Sequence, residues 1–442
     1  MLNKEKAREI TQKLISYTKN HADVAMYNAG QKLTRFANSE IHQNVEIENT
    51  IVSLTVSAGK KQASCQSNVF DDESLKKLAS DADTMLAFAQ DGEFDLIPTE
   101  VQDIPETKND SRLAETYDIK GRTAALKRCV ASLDKDYTTA GAISLDSQMN
   151  VFASSSGAFC YGMFDSVRFS AVVTHKDEAT GYGAVQANSL ENCTIDKAFG
   201  IAYDKAKAAI NPEFTDLGAY TVILEPAAVG NLLMFLLMSL NGARYQKGLS
   251  FASGKLGEKL FGDNFTVNDD VTNPATMQRL FDGEGNRRQA ITLIEKGVLK
   301  NVLHCARTAQ KAGVKPTGHA TGVSGDGGMP LNVIMSGGDS SMPEMISSLK
   351  KGILVTHFHY CNFVNPKTAQ LTGLTRDGTF LIEDGKISKP LRNMRFTEGL
   401  LNAFSNIKAL SKDLTIVPMF TGPALLPSVI IEDFHFTSGQ KT

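Results

Sequence analysis

Cysteines in this 442-residue chain never stand close enough together to make a Cys-x-x-Cys pair, so the local spacing of structural zinc sites and thioredoxin-like redox motifs is missing. The six that occur, Cys65, Cys129, Cys160, Cys193, Cys305 and Cys361, are scattered, as expected of reduced thiols in a cytosolic protein. Runs of like charge are missing too. Lys+Arg 46 against Asp+Glu 49 gives a formal net charge of −3, without the basic stripe that nucleic acid or an anionic membrane would select. No segment reaches the ~18 uninterrupted apolar residues of a membrane span. The opening Met1-Leu-Asn-Lys-Glu-Lys-Ala-Arg-Glu-Ile10 reads as a charged amphipathic helix, lacking the apolar stretch and small-residue cleavage site of a secretion signal. The expectation is a cytoplasmic protein with no direct nucleic-acid partner and no membrane partner.

What is there is length and pattern. One hydrophobic core stops growing at ~250–300 residues, so two domains are expected, 1–211 and 212–442. The expected fold class is α+β: an N-terminal α/β domain with a strand meander and packed helices, then a C-terminal β-rich domain with a buried helix. Segments 23–32, 34–47 and 50–57 read as strands, the last showing Val52, Leu54 and Val56 alternating with Ser53, Thr55 and Ser57. After Asp71 or Asp72 as cap, Leu75, Leu78, Ala79, Ala82, Leu86 and Ala89 fall on one helical stripe. Residues 94–110 read as a connector and 111–135 as a second helix. Strand-like segments follow at 140–153 and 165–177, then a helical segment at 190–210, which Asn211-Pro212 ends. A strand is expected at 219–224. Two echoing segments, Leu293-Ile-Glu-Lys-Gly297 and Leu381-Ile-Glu-Asp-Gly385, read as hairpins whose glycines take positive φ. Between them lie a glycine-rich loop, 318–330, and a helix near 343–351.

Residues 226 to 241 have no charge between Glu225 and Arg244, and leucine, methionine and phenylalanine occupy every face. A helix apolar all round is core. Pro226 suits its first turn, and Gly242 sits where a left-handed cap would end it.

The order of several motifs is similar to that of the TldD/PmbA family, also called TldE or modulator of DNA gyrase. The motifs are the Ser39-Glu40 to Gly59-Lys60 meander, Ser250-Phe-Ala-Ser-Gly-Lys-Leu-Gly-Glu258, Asp269-Asp270, Phe281-Asp-Gly-Glu-Gly285, Ala312-Gly313 with Thr317-Gly318-His319, and the segment from Leu371 to Gly385. The resemblance covers nearly the whole chain. In the peptidase branch of that family, a His-Glu-x-x-x-His sequence follows a Gly-x-Leu-Leu lead-in, and a cysteine near the C-terminus is the third zinc ligand. Here the lead-in survives as Gly230-Asn-Leu-Leu233, but the motif positions fall on Met234, Phe235 and Ser239. No cysteine follows Cys361, and residues 414–422 hold no good ligand. Zinc needs deprotonatable N, S or O donors at about 2.0–2.3 Å, which methionine, phenylalanine and an isolated serine do not supply. The resemblance therefore implies the TldE/PmbA-like branch: no catalytic residue and no cofactor in this chain, with zinc in a TldD-like partner. It implies a heterodimer, or a homodimer of this chain, around a cleft where an extended peptide joins a sheet edge.

Other candidates carry two readings each. On the strand Thr356-His-Phe-His-Tyr-Cys361, a period of two puts His357, His359 and Cys361 on one face, which would suit a metal. That gives a rival reading, an independent metalloenzyme; a third is a homodimeric binding protein with no peptidase role. The blander view makes these residues packing or cleft-lining groups. His319 either shapes a peptide groove or sits in a surface loop. Arg376, in an expected Arg376-Asp377-Gly378 turn, either holds a peptide carboxylate or does nothing specific. Arg287-Arg288 reads as a solvated strand start. His304 and Cys305, neighbours at a strand end, face opposite ways and so cannot form a dyad. Gly254-Lys255 lacks the spacing of a phosphate-binding loop and residues 325–328 lack the context of a dinucleotide fingerprint, so nucleotide binding is not expected.

Overall fold

A computed structural model describes residues 1–93, 99–107, 109–322 and 327–439. The connector expected at 94–110 and the glycine-rich loop expected at 318–330 lie partly outside the described residues, as do residues 325 and 326 of the tested fingerprint.

The first sheet contains β1 (His21–Ala37), β2 (Glu40–Ala58), β3 (Lys61–Ser67), β4 (Tyr137–Ser154), β5 (Phe159–His175) and β6 (Thr180–Ala187). Their order is β3-β2-β1-β4-β5-β6, antiparallel throughout. The expected breaks inside 23–57 do not occur. Pairing from His21↔Ser57 to Ala37↔Glu40 makes one long hairpin, turned at Asn38 and Ser39 with φ of 50° and 64°. Alternation then sorts the side chains. Val24, Met26, Val52, Leu54 and Val56 lie under α1 (Lys4–Tyr17) and α2 (Asp72–Phe88). On the same face, Ile143, Leu145, Val167 and Phe169 lie under α3 (Arg112–Thr116), α4 (Ile119–Ala131) and α5 (Ile195–Ala208). The opposite face, carrying Tyr27, Ser53, Gln148 and Asn150, is left for the second half of the chain.

Local chemistry explains the helix ends. Asp71 caps α2 by accepting from Ser74 N–H, and Ala89 falls past the last turn rather than on the stripe. The helix expected at 111–135 is two, because Asp118 caps a new start by accepting from Gly121 N–H. Strand β6 was not expected, since its alternate glycines hide the pattern. A Cβ at Gly181 or Gly183 would come within 2.1 or 1.9 Å of an α5 carbonyl, so small residues are what let the helix lie on the strand.

The second half adds β7 (Gly218–Leu224), β8 (Val267–Asp269), β9 (Ile291–Glu295), β10 (Val298–Leu299), β11 (Val333–Met335), β12 (Lys351–Asn365), β13 (Gln370–Glu383), β14 (Lys386–Pro390), β15 (Met394–Gly399), β16 (Ile407–Leu410), β17 (Thr415–Met419), β18 (Gly422–Leu426) and β19 (Val429–Gly439). Strands β12, β7, β19, β15 and β13 pair in that order and β13 returns to β12, closing a small barrel. A second sheet runs β10-β9-β8-β11-β18-β17. The two echoing hairpins are present, with positive φ at Lys296-Gly297 and Asp384-Gly385 as a type I′ turn requires.

Helix α6 (Pro226–Met238) is packed against β12 and β17, with Ala228, Val229, Leu232, Leu233, Leu236 and Leu237 buried. It ends at Ser239, three residues before the expected cap. Asn241 instead caps α7 (Gly242–Gln246), and Gly242 is small because a Cβ there would lie 2.6 Å from the His304 ring. The remaining helices are α8 (Ala306–Ala312), α9 (Met342–Ser347) and α10 (Leu400–Ser405). Among the described residues no helix is long and apolar enough to cross a membrane.

Candidate functional site

The polar face of the first sheet and the loops of the second half enclose a cavity of about 610 Å³, continuous through Gln148, Arg279, Phe420 and Thr421 with a smaller one of about 260 Å³. The sheet supplies Ser53, Thr55, Gln148 and Asn150, which one strand face presents together because successive side chains alternate. Loop residues 277–288, 320–322 and the β17–β18 turn form the other wall. The halves are tied at this point. Thr99 donates to the Glu284 carbonyl at 2.8 Å, Asn188 to that of Thr276 at 2.7 Å, and Arg279 hydrogen-bonds Gln148 while lying over the Phe164 ring.

The loop wall is built on buried carboxylates. Asp282 accepts from the backbone N–H groups of Glu284, Asn286 and Ala320. Burial pushes its carboxyl up, against those hydrogen bonds and the charge of Arg288. Glu284 accepts from Ala306 N–H at 2.7 Å, and burial and the charge of Asp282 push it up to about 8. Asp269 accepts from Leu331 and Asn332 N–H at 2.6 and 3.1 Å. Burial works to raise it, but His319, Arg288 and those amides hold it down at about 2. Gly285 closes the wall, since φ of +77° and the Phe152 ring 2.2 Å from an ideal Cβ leave no room for a side chain.

Several residues stand elsewhere than the sequence suggested. Arg288 is not a solvated strand start: it is 5% exposed and lines the larger cavity beside Arg279. Neither arginine was singled out for function. The only signal was charge inside a glycine-rich stretch without periodicity, Phe281-Asp-Gly-Glu-Gly-Asn-Arg-Arg288. His319 is not a surface loop residue but fully buried, donating from Nδ1 to the Thr317 carbonyl at 2.7 Å, with Nε2 3.4 Å from Asp269. His304 and Cys305 do not diverge on a strand. Cys305 is the N-cap position of α8, and both side chains reach the Thr308 hydroxyl, at 3.2 and 3.5 Å.

His357, His359 and Cys361 are not brought together. His357 hydrogen-bonds Asp377 at 2.8 Å and stacks on Tyr182 of β6, 4.3 Å between centroids. His359 is exposed and 3.2 Å from Arg376 Nη1. Tyr360 then takes φ of +57°, at a bulge in the pairing with β13, and the alternation shifts by one. Cys361 therefore turns into the core, opposite Gly373 and near Phe396. Arg376, half exposed, belongs to β13 rather than to a free turn. Positive φ at Asp377 and Gly378 marks a second irregularity there.

At the positions corresponding to the zinc motif, Met234 and Phe235 pack on the apolar core and Phe235 meets Phe363 edge to face, 5.1 Å between centroids. The Ser239 hydroxyl is buried and donates to the Phe235 carbonyl at 3.2 Å. Strand β17 covers the helix, with Val417 and Met419 3.6 and 3.7 Å from an ideal Cβ on Gly230. This donor set does not fit zinc. Among the described residues no group of three or more His, Cys, Asp or Glu is placed to hold a metal ion.

A mixed α+β protein with a closed barrel, an apolar helix in place of a metal helix, and a polar cleft between its halves is the class so defined. Residues 217–438 match the family described as PmbA/TldA metallopeptidase C-terminal domain, and the chain belongs to this PmbA/TldD metallopeptidase-related family. A metalloprotease of Methanothermobacter thermautotrophicus is 28% identical over 180 residues, 40% of this chain and 39% of that protein. The matches to the curated relatives that follow it span 29% and 41% of their own length. A Thermotoga maritima structure described as a modulator of a DNA gyrase superposes with a TM-score of 0.85 at 19% identity, covering 98% of this chain and all (100%) of that one. The structure of TldE from Thermococcus kodakarensis gives 0.82 at 20% identity, covering 98% and 99%. At those identities the likeness is one of fold.

Proposed function

We propose that this chain is the non-catalytic, substrate-shaping subunit of a TldD/TldE-type cytoplasmic zinc metallopeptidase, working as the dimeric partner of a TldD-like chain that carries the metal. The observation that carries this reading is the replacement of every position of the zinc motif, on α6 and at its C-terminal cap, by Met234, Phe235 and a buried, self-satisfied Ser239. Fold likeness to TldE favours the same branch. The cleft suits an extended peptide because its sheet wall offers hydroxyl and amide groups that hydrogen-bond a main chain whatever its sequence. Nothing in that wall requires nucleic acid, so the gyrase name is not read as DNA binding.

The test is reconstitution. The purified chain incubated with an unstructured peptide is expected to leave it intact, and adding a TldD-like partner with an intact His-Glu-x-x-x-His is expected to give cleavage that a chelator abolishes. Chelator-sensitive cleavage by this chain alone would overturn the proposal.

A further inference from the structure

Two arginines in the cleft keep buried donors unpaired among the described residues. Nε and Nη1 of Arg288 and Nε of Arg279 are buried without a hydrogen-bond partner, although both side chains line the 610 Å³ cavity. A buried guanidinium with unused donors is costly, because those donors have given up water for nothing. Burial lowers the proton affinity of both, and repulsion from Arg288 adds to the effect on Arg279, whose value falls to about 10. Both nonetheless stay charged at neutral pH. Among the described residues no carboxylate lies within ion-pair distance of Arg288; Asp269 and Asp282 act on it from further off.

We infer that Arg279 and Arg288 form a receptor for a single carboxylate group of a bound peptide, placed between the first sheet and the 277–288 loop. This rests on the reading of the cleft as a peptide site. Arginine presents several donors in one plane that suit a carboxylate, and Arg288 keeps Nε and Nη1 unused. Charge balance selects a monoanion. Asp269, held ionised, already offsets part of the positive charge, so the surplus is smaller than a phosphate dianion would need. Gln148, which accepts from Arg279, fixes that side chain against the sheet at the edge of the cavity. The carboxylate could come from a peptide's C-terminus or from an acidic side chain.

Calorimetric titration of the full chain settles it with five probes: N-acetyl-tetra-alanine as free acid, the same peptide as its C-terminal amide, an amidated variant with one internal glutamate, N-acetyl-alanine, and inorganic phosphate. The free acid is expected to bind about tenfold or more tightly than the amide, the difference a charge-assisted pair typically gives. Arg288→Gln and Arg279→Gln are expected to erase that difference, and Arg288→Lys to restore part of it. If the glutamate variant binds like the free acid, the carboxylate source is a side chain as well; if it binds like the amide, the source is the terminus. The comparison of acid with amide needs only the native protein, so a variant that fails to fold does not blunt the test. Equal binding of acid and amide overturns the receptor while leaving the peptide reading in place. Arginine-dependent binding of N-acetyl-alanine with no binding of either tetrapeptide upholds the receptor and removes the peptide reading. No binding of any probe, or tighter arginine-dependent binding of inorganic phosphate, overturns the receptor.

Discussion

Glu284 carries a pH signature that follows from its position. Its carboxyl is shifted from an ordinary 4.5 up to about 8 by burial and by Asp282. Between those values the unfolded chain has released this proton and the folded chain keeps it, so the stabilisation is complete at low pH and is lost as pH rises through about 8. Glu284→Gln removes the proton exchange but can still accept from Ala306 N–H. The native chain is therefore expected to lose several degrees of Tm relative to Glu284→Gln between about pH 5 and about pH 8.5. Parallel melting curves across that range would refute the assignment. Such groups were invisible in the sequence. Glu284 and Arg288 sit in a segment with no strand or helix period, and their burial comes from tertiary contacts of that loop. Ser53 and Gln148 were readable as polar positions of strands, but not as walls of a cleft.

The fate of α6 was legible at the scale of the element because composition alone decides it: no charge, no ligand, apolar on all sides. Its burial rests on residues such as Leu236, 0% exposed, and Leu236→Ala is expected to cost about 2–5 kcal/mol in urea unfolding. A sharper test restores the motif. The combined Met234→His, Phe235→Glu and Ser239→His variant is expected to melt below the native chain and to retain no stoichiometric zinc by elemental analysis. The third donor is absent and β17 closes the space over the helix; tight binding of one zinc per chain would show that the fold still holds a usable metal pocket. Strand β12 was less legible. Its type was clear, but facing was inferred from unbroken alternation, and positive φ at Tyr360 breaks it. Bulges leave little trace in composition, so the reading that grouped Cys361 with His357 and His359 failed for a reason of backbone geometry. Helix starts at Asp71 and Asp118 behaved as capping chemistry requires, whereas β6 was lost behind its glycines.

Across the whole molecule the two halves meet through specific contacts, and at Gly285 an added Cβ would lie 2.2 Å from the Phe152 ring. Gly285→Ala both forces a Cβ into that ring and imposes strain at positive φ, so a loss of about 2–4 kcal/mol is expected. Hydrogen exchange should show the loosening on β4 near Phe152 and on the 282–288 loop together. Protection changed on only one side would mean that the junction is not cooperative.

The closed barrel has a consequence for how the chain is made. In the first sheet nearly every strand pairs with one adjacent in sequence, so hairpins can zip as they leave the ribosome. Strand β7 has no such neighbour: it sits between β12 and β19, whose residues are translated long afterwards. Long-range pairing of this kind is slow. Throughout that interval the leucine-rich α6 has no barrel to shelter it, so its apolar faces stay open until the last strand is made.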